Sequence, residues 1–130
     1  MSKTEYNIED LFKALADRTR LRLINLIGDS EVCVCFFVTI LKISQPKISR
    51  HLAYLRRAGI AASRREGKWM HYRLTAPPDE HAARIFHEVR ASLAEHPEMQ
   101  RDRQKLLSVC CAEQMPVQLR RAPRPLGLAA

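Results

Sequence analysis

Residues 44–74 read SQPKISRHLAYLRRAGIAASRREGKWMHYRL, and this stretch restricts the fold more than any other part of the chain. Its first half is written as a helix: Ser44 is a capping residue, Pro46 suits a first turn, and Gly59 stops the element. Ile48, Leu52 and Leu55 recur at helical spacing and form one apolar face, with Arg50, Tyr54 and Arg57 opposite. The second half holds two alternating runs about Glu66-Gly67-Lys68, which is the pattern of a β-hairpin. Met70, Tyr72 and Leu74 share one side of that hairpin, Trp69, His71 and Arg73 the other, and its tip carries Arg64, Arg65 and Lys68.

The segments before it are helical as well. Ile8, Leu11, Phe12, Leu15 and Ala16 make one apolar stripe, and Asp17 is placed to cap a second helix that turns Leu21, Ile24 and Leu26 or Ile27 inward and ends near Gly28. The short run FFVTILKI fits either a strand or a buried helix. After Pro77 and Pro78, the residues Ala82, Ile85, Phe86, Val89 and Leu93 form another stripe. Helices, a cationic helix and then a basic hairpin is the order of a winged helix-turn-helix. The expected class is therefore mainly α (α+β) with a two-stranded wing. Residues 1–96 are expected to form that domain, 97–111 a C-terminal helical segment with vicinal cysteines, and 112–130 a disordered, basic, Pro-rich tail.

Charge agrees with this order. The 130 residues carry 22 Lys plus Arg against 14 Asp plus Glu, a net +8, which points to a polyanionic partner, nucleic acid before anionic membrane. No stretch approaches the roughly 20 apolar residues of a spanning helix, and the polar, acidic N-terminus is unlike a signal peptide. A cytoplasmic protein with reduced thiols is expected. A helix seated in the major groove needs an apolar back and a polar N-terminal face. Gln45, Lys47, Ser49, Arg50 and His51 supply that face, Tyr54 and Arg57 extend it, and Arg64, Arg65 and Lys68 on the hairpin are placed to grip phosphates. Taken singly, RRAG and SRREGK read as solvated charge; their joint spacing on a basic chain favours double-stranded DNA.

The strings LFKALADRTRLRLINLI, EVCVC, SQPKISRHLAYLRRAGI and REGKWMHYRL together resemble the ArsR/SmtB family of bacterial metal-sensing repressors, most of all its arsenical-resistance members. The resemblance covers a little over half the chain. It implies a homodimeric winged-helix protein that sits on operator DNA and leaves when metal or metalloid binds, and it implies no enzyme. Dimerisation in such proteins uses the first helix and the helix after the wing, here Ile8, Leu11 and Phe12 with Ile85, Phe86, Val89 and Leu93.

Cys33 and Cys35 are two thiols at i and i+2, a pair able to chelate one soft centre such as As(III), Sb(III), Cd(II) or Zn(II). On a regular helix those positions lie about 200° apart. The free protein is therefore expected to start a helix there with the sulfurs directed apart, and binding to unwind the first turn. Arsenical regulators of this type show a CVCDLC-like string, whereas Phe36 and Val38 stand here in place of its acid and third cysteine. As(III) prefers three sulfurs, so Cys110 or Cys111 is the candidate for the third; hydroxide or water is the other. The family's zinc pattern on the post-wing helix is incomplete, because Asp79 and His81 are matched later by Ser92 and Glu95. The readings left open beside an As(III)/Sb(III)-responsive repressor are a thiol-oxidation or Cd/Zn response on the same scaffold, an architectural DNA-binding protein, and a thiol redox enzyme. The enzyme lacks the usual C-x-x-C setting.

Overall fold

The protein is described as a computed structural model over residues 5–110 together with 122, 123 and 125. Short polar signals start its helices. The Asn7 side chain accepts the Glu9 amide at 3.0 Å to open α1 (Ile8–Leu15), and Asp17 accepts the Arg20 amide at 3.0 Å to open α2 (Arg18–Ile27). Each cap satisfies an amide that the first turn leaves without a helical partner. The stripe on α1 differs from the expected one: Leu11 and Ala14 are buried, whereas Phe12 is 53% exposed. Only eight residues long, α1 seats one narrow line on α2, α4 and α5, and Phe12 falls outside that line.

After α2 the chain makes a two-residue strand, β1 (Val32–Cys33), and then α3 (Val34–Leu41). The apolar run that fitted strand or helix is thus a helix, with Phe36, Phe37, Ile40 and Leu41 buried. Burying each phenylalanine contributes on the order of 2–3 kcal/mol. Lys42 closes α3 in the left-handed region at φ 57°, a conformation uncommon for a residue with a side chain. Three residues later α4 (Gln45–Arg57) begins, its Pro46 in the first turn. Ser44 holds the N-cap position, but its hydroxyl makes no capping bond; its carbonyl accepts the Ile48 amide at 3.0 Å.

The end of α4 follows from its glycine. Gly59 has φ 79°, its amide donates to the Arg56 carbonyl at 3.0 Å, and the Ile60 amide donates to the Leu55 carbonyl at 3.1 Å. This pair of bonds is a Schellman closure, which needs a left-handed residue at that position. The chain then enters β2 (Ala61–Glu66), turns at Gly67 and Lys68, and returns as β3 (Trp69–Leu74), with Glu66 opposite Trp69 and Ala61 opposite Leu74. The expected two-stranded hairpin is formed by β2 and β3, and a third strand joins its sheet. β1 pairs antiparallel with the free edge of β3, Val32 opposite Tyr72 and Cys33 opposite His71, so β3 is central. Central position also explains why His71 and Tyr72 are both buried although they point to opposite faces.

Asp79 caps α5 (Glu80–Leu93) through the Ala82 amide at 2.9 Å. The charged segment after it is α6 (Pro97–Cys110), which packs on α2 and α3 and joins the same core through Met99 and Leu106. Arg22 clamps the buried Asp102 with two bonds, at 2.8 and 3.0 Å, the Asn25 side-chain Nδ2 donates to the Met99 carbonyl, and Arg103 donates to the Leu26 carbonyl. The expected tail lies outside the described residues except for 122, 123 and 125, of which Ala122 and Pro125 are buried. Among the described residues no helix is long and apolar enough to cross a membrane.

The Arg22–Asp102 clamp generates a stability prediction. Asp102→Ala removes both charge-assisted bonds of a half-buried guanidinium that keeps only Glu98 nearby, which should cost about 2–3 kcal/mol. Thermal melting should shift down accordingly, and limited proteolysis should cut first within 97–110. An unchanged melting curve would show that α6 is held by its apolar side alone.

Candidate thiol centre and nucleic-acid interface

The exposed side of α4 carries Gln45, Lys47 and Arg50, with Ser49 half-buried beside them and Arg57 exposed near the far end. His51 and Tyr54, expected on the same surface, are engaged in docking the helix. The His51 Nδ1 lies 3.3 Å from the Arg20 Nη1 and 3.9 Å from the Asp17 carboxylate. The Tyr54 ring lies under two guanidinium groups, Arg20 at 4.2 Å and Arg57 at 5.3 Å from its centroid. Such stacking contributes roughly 0.5–2 kcal/mol at a part-exposed site.

Arg20 is the residue that the pattern of the chain did not disclose. Its Nε donates to the Ala14 carbonyl and its Nη2 to the Lys13 carbonyl, both at 2.8 Å. These bonds supply donors to carbonyls in the last turn of α1, where helical partners run out; the Lys13 carbonyl also accepts the Ala16 amide at 3.3 Å. One side chain on α2 thereby holds the end of α1 and the face of α4. No spacing signal separates Arg20 from Arg18 or Arg22 in the sequence.

On the wing, Arg65 and Lys68 are exposed, and the Lys68 ammonium sits 5.0 Å from the Trp69 ring centroid. Arg64 is placed differently. Its Nε and Nη2 donate to the Glu31 Oε1 at 2.9 and 2.5 Å, and its Nη1 donates to the Glu66 Oε2 at 3.1 Å. The guanidinium holds the Glu31 carboxyl below the usual carboxylate range.

The thiols correct the expected geometry. Cys33 ends β1 and occupies the N-cap of α3 with φ −70° and ψ 141°, so it is extended; Cys35 alone lies within the helix. The opposition of i and i+2 on a regular helix therefore does not apply. The two sulfurs are 3.1 Å apart, with the Cys35 thiol donating to the Cys33 sulfur. Cys33 is fully buried and Cys35 half-buried. The Cys33 pKa falls to about 7, chiefly because the Cys35 thiol donates to its thiolate; burial opposes this, and backbone amides at the start of α3 and at Met70 assist. The Cys35 pKa is pushed up by the same bond, by burial and by the neighbouring negative charge. The first proton therefore leaves the pair more readily than it would leave an isolated thiol, and the second is held more tightly.

One soft centre at about 2.3 Å from each sulfur, with an angle of roughly 90–110°, needs the sulfurs about 3.3–3.8 Å apart. The pair therefore fits two corners of such a site after a shift of only a few tenths of an ångström. A third corner is not assembled from the described residues: no group of three or more His, Cys, Asp or Glu that could hold a metal occurs among them. Cys110 is buried at the end of α6, its sulfur 3.5 Å from the Leu107 carbonyl, and Cys111 lies outside the described residues. Asp79 spends its carboxylate on the α5 cap, and His81 and Glu95 are exposed.

Of the residues expected to bring two copies together, Leu11, Phe86 and Leu93 are buried within the single chain. Their burial already serves the monomer's core. Phe12 is exposed, and Ile8, Ile85 and Val89 are half-buried.

Comparison with known proteins agrees with this arrangement. Residues 17–63 match the family model described as bacterial regulatory protein, arsR family. The chain is 52% identical over 79 residues to the arsenical resistance operon repressor of Escherichia coli, an overlap of 60% of this chain and 68% of that protein. It is 57% identical over 65 residues to the arsenic resistance transcriptional regulator ArsR1 of Pseudomonas putida, 49% of this chain and 51% of the other. It thus spans about two thirds of the first relative and half of the second. The crystal structure of the transcriptional repressor BigR from Xylella fastidiosa superposes with a TM-score of 0.53 at 30% identity, covering 65% of this chain and 84% of that one.

The shared proton can be tested directly. In a background of Cys110→Ser with Cys111→Ser, adding Cys35→Ala removes the donor that stabilises the Cys33 thiolate, so its pKa should rise above about 7. Thiolate absorbance during a pH titration reads this. A Cys33 pKa that stays near 7 in that variant would assign the shift to the helix terminus instead.

Proposed function

This chain belongs to the ArsR family of bacterial regulatory proteins, and from that premise we propose that it is a transcriptional repressor released from operator DNA when As(III) or Sb(III) binds Cys33 and Cys35. The single observation that carries the reading is the thiol pair, 3.1 Å apart at the base of the helix that leads directly into α4. The names of the E. coli and P. putida relatives support an arsenical as the inducer. The role is regulatory, not catalytic.

In this reading Gln45, Lys47, Ser49 and Arg50 meet base edges, while Arg57, Arg65 and Lys68 meet phosphates. His51 and Tyr54 hold the angle at which α4 is presented. The active form is a homodimer, supported by Phe12, whose 53% exposure is unusual for a large apolar side chain, and by the half-buried Ile8, Ile85 and Val89 around α1 and α5. Two copies match a two-fold operator.

A ligand shifts an equilibrium only by its difference in affinity for the two states. The sulfurs are already near chelating distance, so closing the pair supplies little of that difference. The larger part comes from admitting a centre beside the fully buried Cys33 and from recruiting a third donor. Both act on α3, which packs against α4 and α6. Cys110 or Cys111 is the proposed third sulfur. The proton of the pair is drawn from the buried Cys33 toward the half-buried Cys35.

Two outcomes are expected on the DNA side. Arg50→Ala should lose about 1–3 kcal/mol of preference for operator over random DNA. Lys68→Ala should weaken both and lower the salt slope by about 1. Equal affinity and slope in both variants would refute the docking.

On the inducer side, Cys33→Ser or Cys35→Ser should still bind operator but fail to release it with arsenite. Cys110→Ser with Cys111→Ser should weaken arsenite binding. Proton balance then separates inducer classes. Exchange of two thiols onto As(OH)₃ releases two waters and no net proton, so affinity is flat below about pH 7. Above the Cys33 pKa of about 7 one proton must be taken up, and affinity falls. A divalent cation such as Cd(II) displaces protons, so its affinity rises with pH. Unchanged arsenite release in the Cys33→Ser/Cys35→Ser double variant would remove this pair from sensing.

A further inference from the structure

The wing presents Arg65 and Lys68 to solvent, and neither makes an ion pair among the described residues. Arg64 stands beside them but has all three guanidinium nitrogens committed, two to Glu31 and one to Glu66. The trio of Arg64, Glu31 and Glu66 carries a net charge of −1 on a surface that must approach phosphate. An isolated surface ion pair contributes little to stability, but this one decides which charge the wing offers. His71 and Arg73 also face it: the His71 Nε2 is buried without a hydrogen-bond partner 3.9 Å from the Glu66 carboxylate, and Arg73 adds to Arg64 in lowering the Glu31 carboxyl.

The second part of the observation is connectivity. Glu31 immediately precedes β1 and stands two residues before Cys33 on the same side of the extended chain. Across the sheet, Cys33, His71 and Arg64 form one row, Cys33 opposite His71 and His71 opposite Arg64. The carboxylate that holds Arg64 therefore rides on the strand that ends at the buried thiol.

Resting on the DNA-binding reading above, we propose that Glu31 is the residue that sets the wing's DNA affinity and links it to the thiol pair: it competes with phosphate for Arg64, and movement of β1 on ligation at Cys33 strengthens that hold, so that DNA loses the contact. DNA phosphate and the Glu31 carboxylate compete for the same guanidinium. Glu66 shares the fork but lies on β2, a strand that carries neither thiol and does not pair with β1, so it tunes affinity without carrying the link.

The test is operator binding as a function of salt for full-length wild type, Glu31→Gln, Glu66→Gln, Arg64→Ala and Glu31→Gln with Arg64→Ala, each with and without arsenite. Glu31→Gln should bind operator more tightly at low salt and steepen the log–log salt slope by about 0.9, an extra loss of about 3.5-fold between roughly 50 and 200 mM. In the Arg64→Ala background the same change should alter neither quantity. Arsenite should still bind Glu31→Gln, measured directly, yet lower its DNA affinity by a smaller factor than in wild type. Glu66→Gln should gain affinity and keep the full wild-type factor. Equal Glu31→Gln effects with and without Arg64 would mean that Glu31 acts only as a surface charge, and would overturn the proposal. So would an unchanged salt slope, or a full arsenite factor in Glu31→Gln. If wild type binds operator and releases it normally, those results leave the repressor reading standing; a wild type indifferent to operator overturns both.

Discussion

Two residues of antiparallel pairing, Val32 against Tyr72 and Cys33 against His71, settle more of this molecule than their length suggests. The pairing holds Cys33 extended, so the helix that follows starts one residue later than the cysteine motif implies. It makes β3 a central strand, which buries Tyr72 and His71 together and draws the wing against the body of the domain. It also fixes the segment carrying Glu31 beside Arg64. Without it, the thiols would sit on a separate helix terminus and the wing would be a two-stranded hairpin, a unit that is marginal on its own in water.

Net charge alone describes the chain poorly. Of its many arginines, Arg20 is spent on carbonyls and a tyrosine ring, Arg22 on Asp102, Arg64 on two glutamates and Arg90 on Asp29. These cations do structural work between elements. Those left to solvent on α4 and the wing, Lys47, Arg50, Arg65 and Lys68, lie on elements that a winged helix presents to a duplex. Position, more than the +8 total, gives the surface its polarity.

The long elements were legible in the sequence because each carries many residues of one period. The α4 stripe, its Gly59 stop and the hairpin register all follow from spacing, and Asp17 is the cap it was read to be. What escaped has too short a period or none. β1 has two residues, so it cannot alternate visibly, and with it went the true backbone of Cys33 and the approach of the sulfurs. Phe12 and Ala14 exchange places because an eight-residue helix samples barely two turns, and the neighbours choose its face. Arg20, Glu31 and Asp102 act across 6 to 80 residues of chain, and nothing local marks them among the other charges. The left-handed Lys42 is equally silent, since lysine is no usual choice for that conformation.

The docking of α6 has a consequence for how the molecule comes into being. Its bonds to α2 join residues 74 to 80 positions apart, whereas α3, α4 and the hairpin are made of near neighbours. Closing so long a loop is the slow, entropically costly part of folding. A chain emerging from the ribosome N-terminus first can thus complete the helix-turn-helix and the wing while residues 97–110 are still inside the tunnel. The thiol pair then exists before Cys110 has a place beside the core, and the last helix joins a domain whose DNA-facing half is already built.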